Sequence, residues 1–131
     1  MLKKIVCSSL QDLELFINQN FELFKEKQFL LLSGDLGAGK TTFTKLLGKK
    51  IGIKEKITSP SFSYMKNYDG LIHIDLYNFK SSIDEFEDYF DDNLVVIEWA
   101  NLQNLDFTHY VKINAYINED EKHVFEIIEV K

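Results

Sequence analysis

At 131 residues, 45% hydrophobic and 14% aromatic, the chain has apolar material for one buried core and is read as a single domain over 1–131. A formal net charge of −6 argues against a protein that grips nucleic acid through its own surface. No apolar run approaches the roughly 18 residues of a membrane span, the apolar N-terminal stretch is too short for a signal peptide, and the one cysteine, Cys7, leaves no internal disulfide, so a cytoplasmic setting is expected.

Residues 3–7 read as a short strand. Ser8 and Ser9 then cap a helix, with Gln11 placed to complete a capping box with Ser8. Leu10, Leu13 and Ile17 fall at helical spacing, with Phe16, Phe21 and Phe24 thickening the apolar stripe, and residues 22–28 read as a charged loop. Residues 29–32 form an apolar run that reads as a buried strand. It leads into Gly34-Asp35-Leu36-Gly37-Ala38-Gly39-Lys40-Thr41-Thr42, which fits the phosphate-binding pattern G-x-x-x-x-G-K-[ST]. Glycines let the backbone turn tightly and leave no Cβ between amide N–H groups and a phosphate. A helix starting at the loop's end adds free N–H groups and the positive end of its dipole. Lys40 brings a full charge to the β- and γ-phosphates, and the Thr41 hydroxyl is a ligand for Mg2+. Phe43, Leu46, Leu47 and Ile51 lie on one face of that helix, and Gly48 and Gly52 mark its end, Gly52 suiting a left-handed cap. A nucleoside triphosphate with Mg2+ is the expected ligand.

Thr58, Ser59, Pro60, Ser61 and Phe62 form the next loop, placed where nucleotide switches put hydroxyls near Mg2+ or the γ-phosphate, although an ordinary Ser/Thr/Pro turn has the same composition. Strand-like runs at 62–68 and 71–77 are joined by Asp69-Gly70, a hairpin signal. Ser82 with Glu85 makes a second capping box before an amphipathic helix carrying Ile83, Phe86, Tyr89 and Phe90. Its acidic face, Asp84, Glu85, Glu87, Asp88, Asp91 and Asp92, suits solvent or a basic partner. Residues 94–97 are continuously apolar and run into Glu98 and Trp99, the pattern of a central parallel strand. Residues 101–108 read as loop, and 110–117 and 122–130 as strands of a hairpin turned at 118–121. The sum is an α/β, P-loop NTPase-type three-layer domain whose mixed sheet has a parallel centre and antiparallel hairpins.

Ligands in open parallel sheets sit at the carboxyl ends of strands, where the phosphate loop, Asp75 and Glu98 all lie. Thr41 with Asp75 or Glu98 supplies the hard oxygen donors Mg2+ takes, and which of the two acids binds it directly and which through water is open. His73 alternates with Ile72 and Ile74 and reads as structural; His109 and His123 lack a partner at zinc-ligand spacing. Ser8, Ser9 and the last hairpin are the candidates for a base pocket. All 15 cationic side chains are lysine, so these residues hold neither an arginine finger nor the arginine lid of small phosphotransferases.

Four motifs occur in order: Gly34 to Thr42, Thr58 to Phe62, His73-Ile74-Asp75-Leu76-Tyr77, and Glu98-Trp99. Together they resemble the bacterial TsaE (YjeE) family from the first strand to the last. The resemblance implies a Mg2+-dependent ATPase that works with TsaB and TsaD in forming threonylcarbamoyladenosine beside the anticodon of tRNAs reading codons that begin with A, touching tRNA only through the complex. It implies that Lys40 and the loop amides hold phosphates, that Thr41, Asp75 and Glu98 form the metal site, and that Lys40, Asp75 and Glu98 serve catalysis. Trp99 matches the family's neighbouring aromatic, and residues 58–62 its switch-like loop. Two positions depart: Ser61 stands where the family commonly has Thr, keeping the hydroxyl, and Asn78 where it commonly has Arg. An extension after the last strand, found in relatives, is expected to be missing. A small-molecule kinase on the same fold, or a non-hydrolysing nucleotide-dependent binding module, remain the alternatives.

Overall fold

The computed structural model describes residues 3–60 and 63–131. The elements in chain order are β1 (Lys4–Cys7), α1 (Leu10–Lys27), β2 (Phe29–Ser33), α2 (Lys40–Ile51), β3 (Met65–Tyr68), β4 (Leu71–Asp75), a 3-10 segment (Ile83–Tyr89), β5 (Leu94–Glu98), a 3-10 turn (Ala100–Leu102), β6 (Val111–Ile117) and β7 (His123–Val130). The strands make one sheet in the order β1-β7-β6-β2-β5-β4-β3. β2 runs parallel to β5 and β6, and β4 parallel to β5, whereas the β3–β4, β6–β7 and β1–β7 pairs are antiparallel. The parallel centre flanked by antiparallel pairs is the expected architecture.

Alternation along the central strands sorts the core into two layers. Leu30, Leu32, Leu71, Leu94, Val96, Val111 and Ile113 face α1 and α2, where they meet Phe16, Phe24, Phe43 and Leu47. Leu31, Ile72, Ile74, Val95 and Ile97 face the other way, onto Ile83, Phe86, Phe90 and Tyr110. β5 is buried at every position, as a strand covered on both faces must be. The two acids belong to the helix face: Asp75 follows Leu71 and His73 by steps of two, and Glu98 follows Leu94 and Val96.

Several local expectations are corrected. Residues 22–27 are not a loop; α1 continues through them because Phe24 extends the buried stripe, while Lys25 pairs with Glu22 at 3.1 Å on the exposed side. The helix stops at Gln28, which takes φ 71° and donates its side-chain amide to the carbonyls of Phe90 and Asn93. The proposed Ser8–Gln11 box does not form. Asp12 accepts the Ser8 amide at 2.8 Å instead, a carboxylate at the helix start being favoured by its dipole. Likewise Ser82 accepts the Asp84 amide rather than boxing with Glu85, and the segment behind it winds as 3-10 rather than α-helix. Gly48 does not end α2 but lies inside it; the end is at Gly52, with φ 106° and its amide on the Gly48 and Lys49 carbonyls. The second strand of the Asp69-Gly70 hairpin ends at Asp75 rather than Tyr77, because the Asp75 side chain accepts the Tyr77 amide at 2.9 Å and turns the chain. Asn78 then takes φ 62°, a conformation Asn tolerates better than most side chains.

Candidate functional site

Strand β2 delivers the chain into a loop that must double back to start α2. Gly34 enters it at φ 148° against β6, Gly37 sits at φ 81°, and Gly39 caps α2 at φ 107°. A Cβ on Gly34 would stand 2.2 Å from the Ala115 carbonyl oxygen, so only glycine lets the loop lie this close to β6. The start of α2 has no side-chain cap and no acidic residue in its first turn. Its leading amides are therefore left to accept an anion.

Lys40 is buried, 5% exposed, and its ammonium donates to the carbonyls of Gly34 and, at 3.0 Å, Asp35. The same Nζ lies 4.2 Å from the centre of the Trp99 ring. Burial pulls the Lys40 pKa down, opposed by the charges of Glu98, Asp75 and Asp35. Trp99 holds φ 58°, a backbone region in which a bulky residue is strained, and its ring also tilts against Tyr77 with centroids 5.0 Å apart.

The acids come from neighbouring strands in matched register, Asp75 opposite Glu98 and Glu98 opposite Leu32. Glu98 is buried, and its Oε1 accepts from the Thr41 hydroxyl at 3.4 Å while its Oε2 pairs with His73 Nε2. Burial raises the Asp75 pKa, with the Tyr77 amide opposing and the Glu98 charge adding to the rise.

A cavity of about 300 Å3 is lined by Leu36, Gly37, Ala38, Gly39, Lys40, Thr41, Thr42, Ser59, Asp75, Glu98, Trp99 and His123. Most of the residues singled out from the sequence are thus brought to one place. Gly34 and Asp35 line an adjoining groove with Trp99 and enter through their carbonyls on Lys40. Thr58 is outside the cavity: Lys66 donates to its hydroxyl and its amide donates to the Tyr68 hydroxyl at 3.3 Å. Pro60 is buried and accepts from the Ser63 hydroxyl at 2.7 Å. Ser61 and Phe62 lie outside the described residues. A second, more apolar hollow of about 270 Å3 abuts the loop at Gly39 and Thr42 and is walled by Cys7, Ser8, Ser9, Leu10, Leu13, His123 and Phe125.

Sequence reasoning read His73 as structural and weighed His123 only as a zinc ligand, and the structure places both at the loop or its acids. His123 donates from Nδ1 to the Ala38 carbonyl at 3.0 Å, bracing the loop from β7. His73 reaches Glu98 across the β4–β5 pair. Its signal was present, two positions before Asp75 on the same strand face, but the partner depends on which strand lies alongside.

These residues fit Mg2+ with a phosphate chain. Among the described residues no three His, Cys, Asp or Glu side chains form a self-sufficient cage. One hydroxyl and two carboxylates beside the loop are hard oxygen donors of the kind that a Mg2+ shared with phosphates would take. Loop, helix start, lysine and strand-end acids define a P-loop protein of the mixed-sheet α/β class.

The family is also shown. The model of "Threonylcarbamoyl adenosine biosynthesis protein TsaE" matches residues 7–125, and the chain belongs to that family. A Streptomyces coelicolor protein named tRNA threonylcarbamoyladenosine biosynthesis protein TsaE is 37% identical over 90 residues, covering 60% of this chain and 61% of its own length. An Aquifex aeolicus protein of the same name is 31% identical over 105 residues, 76% of this chain and 77% of the relative. The crystal structure of Bacillus subtilis YdiB superposes with a TM-score of 0.68 at 25% identity, covering 95% of this chain and 82% of that one. The matched stretch thus spans about three fifths of the Streptomyces relative. Among the described residues no helix is long and apolar enough to cross a membrane.

Proposed function

We propose that this chain binds and hydrolyses ATP with Mg2+ and works in the cytoplasm with TsaB and TsaD in forming threonylcarbamoyladenosine on tRNA, meeting tRNA only through that complex. The observation that carries the reading is the cavity in which Lys40, Thr41, Asp75 and Glu98 converge on the phosphate loop. The names of the Streptomyces and Aquifex relatives support the pathway.

In this reading Lys40 leaves the Gly34 and Asp35 carbonyls for the β- and γ-phosphates, and the loop amides take the oxygens. Thr41 and one or both acids hold the metal, which when bound offsets charge on the phosphate oxygens. The hollow beside Thr42 receives the base, Leu10, Leu13 and Phe125 giving it apolar walls and Ser8 and Ser9 polar contacts. With lysine as the sole cationic residue type, no guanidinium from these 131 residues reaches the γ-phosphate. Hydrolysis by the isolated chain is accordingly slow and rises on partner binding, resetting the complex rather than acting on tRNA.

ATP hydrolysis with Mg2+, measured for the chain alone and with TsaB and TsaD, with Lys40→Ala as blank, tests this. A slow rate raised by the partners supports the reading. Partners that neither bind nor change the rate, or phosphate transferred to a small acceptor instead of water, overturn it.

A further inference from the structure

The apolar layer beneath the helices contains one histidine that its surroundings do not explain. His73 is fully buried on the strand face it shares with Leu71, beside Val96 on β5. An aliphatic side chain would fill such a position without the cost of burying a polar ring. Its Nδ1 recovers none of that cost, having no hydrogen-bond partner among the described residues. Its Nε2 is committed wholly to Glu98 Oε2.

Glu98 is divided by this contact. Oε2 faces His73 inside the sheet, and Oε1 faces the Thr41 hydroxyl at the mouth of the loop. The carboxylate is 3% exposed, and His73 is the one side chain among the described residues that satisfies its inner oxygen. Without that N–H the buried oxygen would be unpaired, and the group would turn to find a donor. A buried ligand whose far side is pinned by an imidazole is held in one rotamer, which is how outer partners tune a metal site.

We propose that His73 is a positioning residue: it donates Nε2–H to Glu98 Oε2 and so aims Oε1 at the Thr41 side of the nucleotide site. The inference rests on the Mg2+-nucleotide reading given above. It assigns His73 no contact with nucleotide, metal or attacking water.

The test is calorimetric titration of the full chain with the non-hydrolysable analogue AMPPNP, in Mg2+ and again in EDTA. The ratio of the two affinities isolates the metal-dependent increment. His73→Leu is expected to shrink that ratio by about 10-fold or more while the affinity in EDTA stays where it was. His73→Gln, whose side-chain amide can replace the Nε2–H, is expected to restore most of it. In a Glu98→Gln background, His73→Leu should then add nothing, since the group it orients is already altered. A folded His73→Leu chain with the wild-type ratio overturns the proposal, as does an equal fall in both affinities, which marks a structural role. His73→Met provides the same comparison if His73→Leu does not fold; should neither fold, the residue is structural and the proposal fails. Wild-type protein that binds no AMPPNP, or binds it equally with and without Mg2+, would sink the nucleotide reading itself and is distinguishable on that ground.

Discussion

Gly34→Ala is the sharpest probe of how the phosphate loop is held. The new Cβ would lie 2.2 Å from the Ala115 carbonyl oxygen, against about 3.3 Å for a close carbon–oxygen contact, so loop or strand must move by about 1 Å. Strand β6 resists because it is hydrogen-bonded on both sides, to β2 and to β7. The residue also sits at φ 148°, which side chains rarely adopt. Backbone strain costs about 1–3 kcal/mol, and overpacking against a part that cannot yield costs about 1–3 kcal/mol more. Gly37→Ala is the control: φ is 81° there, but among the described residues a Cβ would meet nothing within 4 Å, leaving the backbone cost of about 1–2 kcal/mol. Urea unfolding should therefore rank Gly34→Ala below Gly37→Ala by about 2 kcal/mol or more, a gap of roughly 5–10 °C in Tm for a chain of this size. Equal stability of the two variants would refute the claim that close approach to β6 dictates glycine at the loop's entry.

Three further outcomes are expected. Gly48→Ala would bring a Cβ to 2.0 Å from Ile57 Cδ1, the far end of a flexible side chain, so Ile57 turns aside and the net change in stability should be small. Adding Ile57→Val removes that carbon, so the two changes should add in a thermal melt only if Ile57 is free to turn; a large loss in Gly48→Ala alone, recovered by Ile57→Val, shows that it is not. The Cys7 thiol is pushed up to about 11 by burial, with the nearby Asp12 charge adding to the rise. Both causes disfavour the thiolate, so alkylation by iodoacetamide at pH 8 should be about 100-fold slower than for a free cysteine and should climb as pH approaches 11; rapid labelling at pH 8 contradicts the burial. Finally, the one tryptophan of the chain lies 4.2 Å from Lys40 Nζ. Its emission should change when nucleotide draws Lys40 away from the loop carbonyls, and the change should vanish in Lys40→Ala. An unaltered spectrum on saturation with Mg2+ and nucleotide would show that Lys40 stays where it is.

What was legible in the sequence follows from how local each determinant is. The loop at Gly34 to Thr42 could be read because its geometry depends on glycines that relax steric limits over a few residues, flanked by an apolar strand and a helix with a 3.6-residue stripe. The hairpin at Asp69-Gly70 was legible for the same reason: Gly70 supplies φ 92° within the turn itself. Helix α1 was cut short because charged residues at 22, 25, 26 and 27 resemble a loop, whereas burial of Phe24 under the sheet decides the matter. The 3-10 segment at Ile83–Tyr89 was equally hidden: Phe86 stacks on Phe79 and, with Ile83, is buried on the outer sheet face, contacts that no local pattern contains.

The sequence by itself determined that a phosphate loop joins a strand to a helix, that acids end two later strands, and that no guanidinium from these residues joins them. Tertiary structure alone decided which acid stands nearest Thr41. β5 inserts between β2 and β4, so Glu98 lies beside both the loop strand and Asp75, within reach of the Thr41 hydroxyl and of His73. Strand order and register are set by which faces bury together across the whole sheet, a property no window of neighbouring residues contains. The placement of Lys40 under Trp99, and the division of Glu98 between Thr41 and His73, follow from that order.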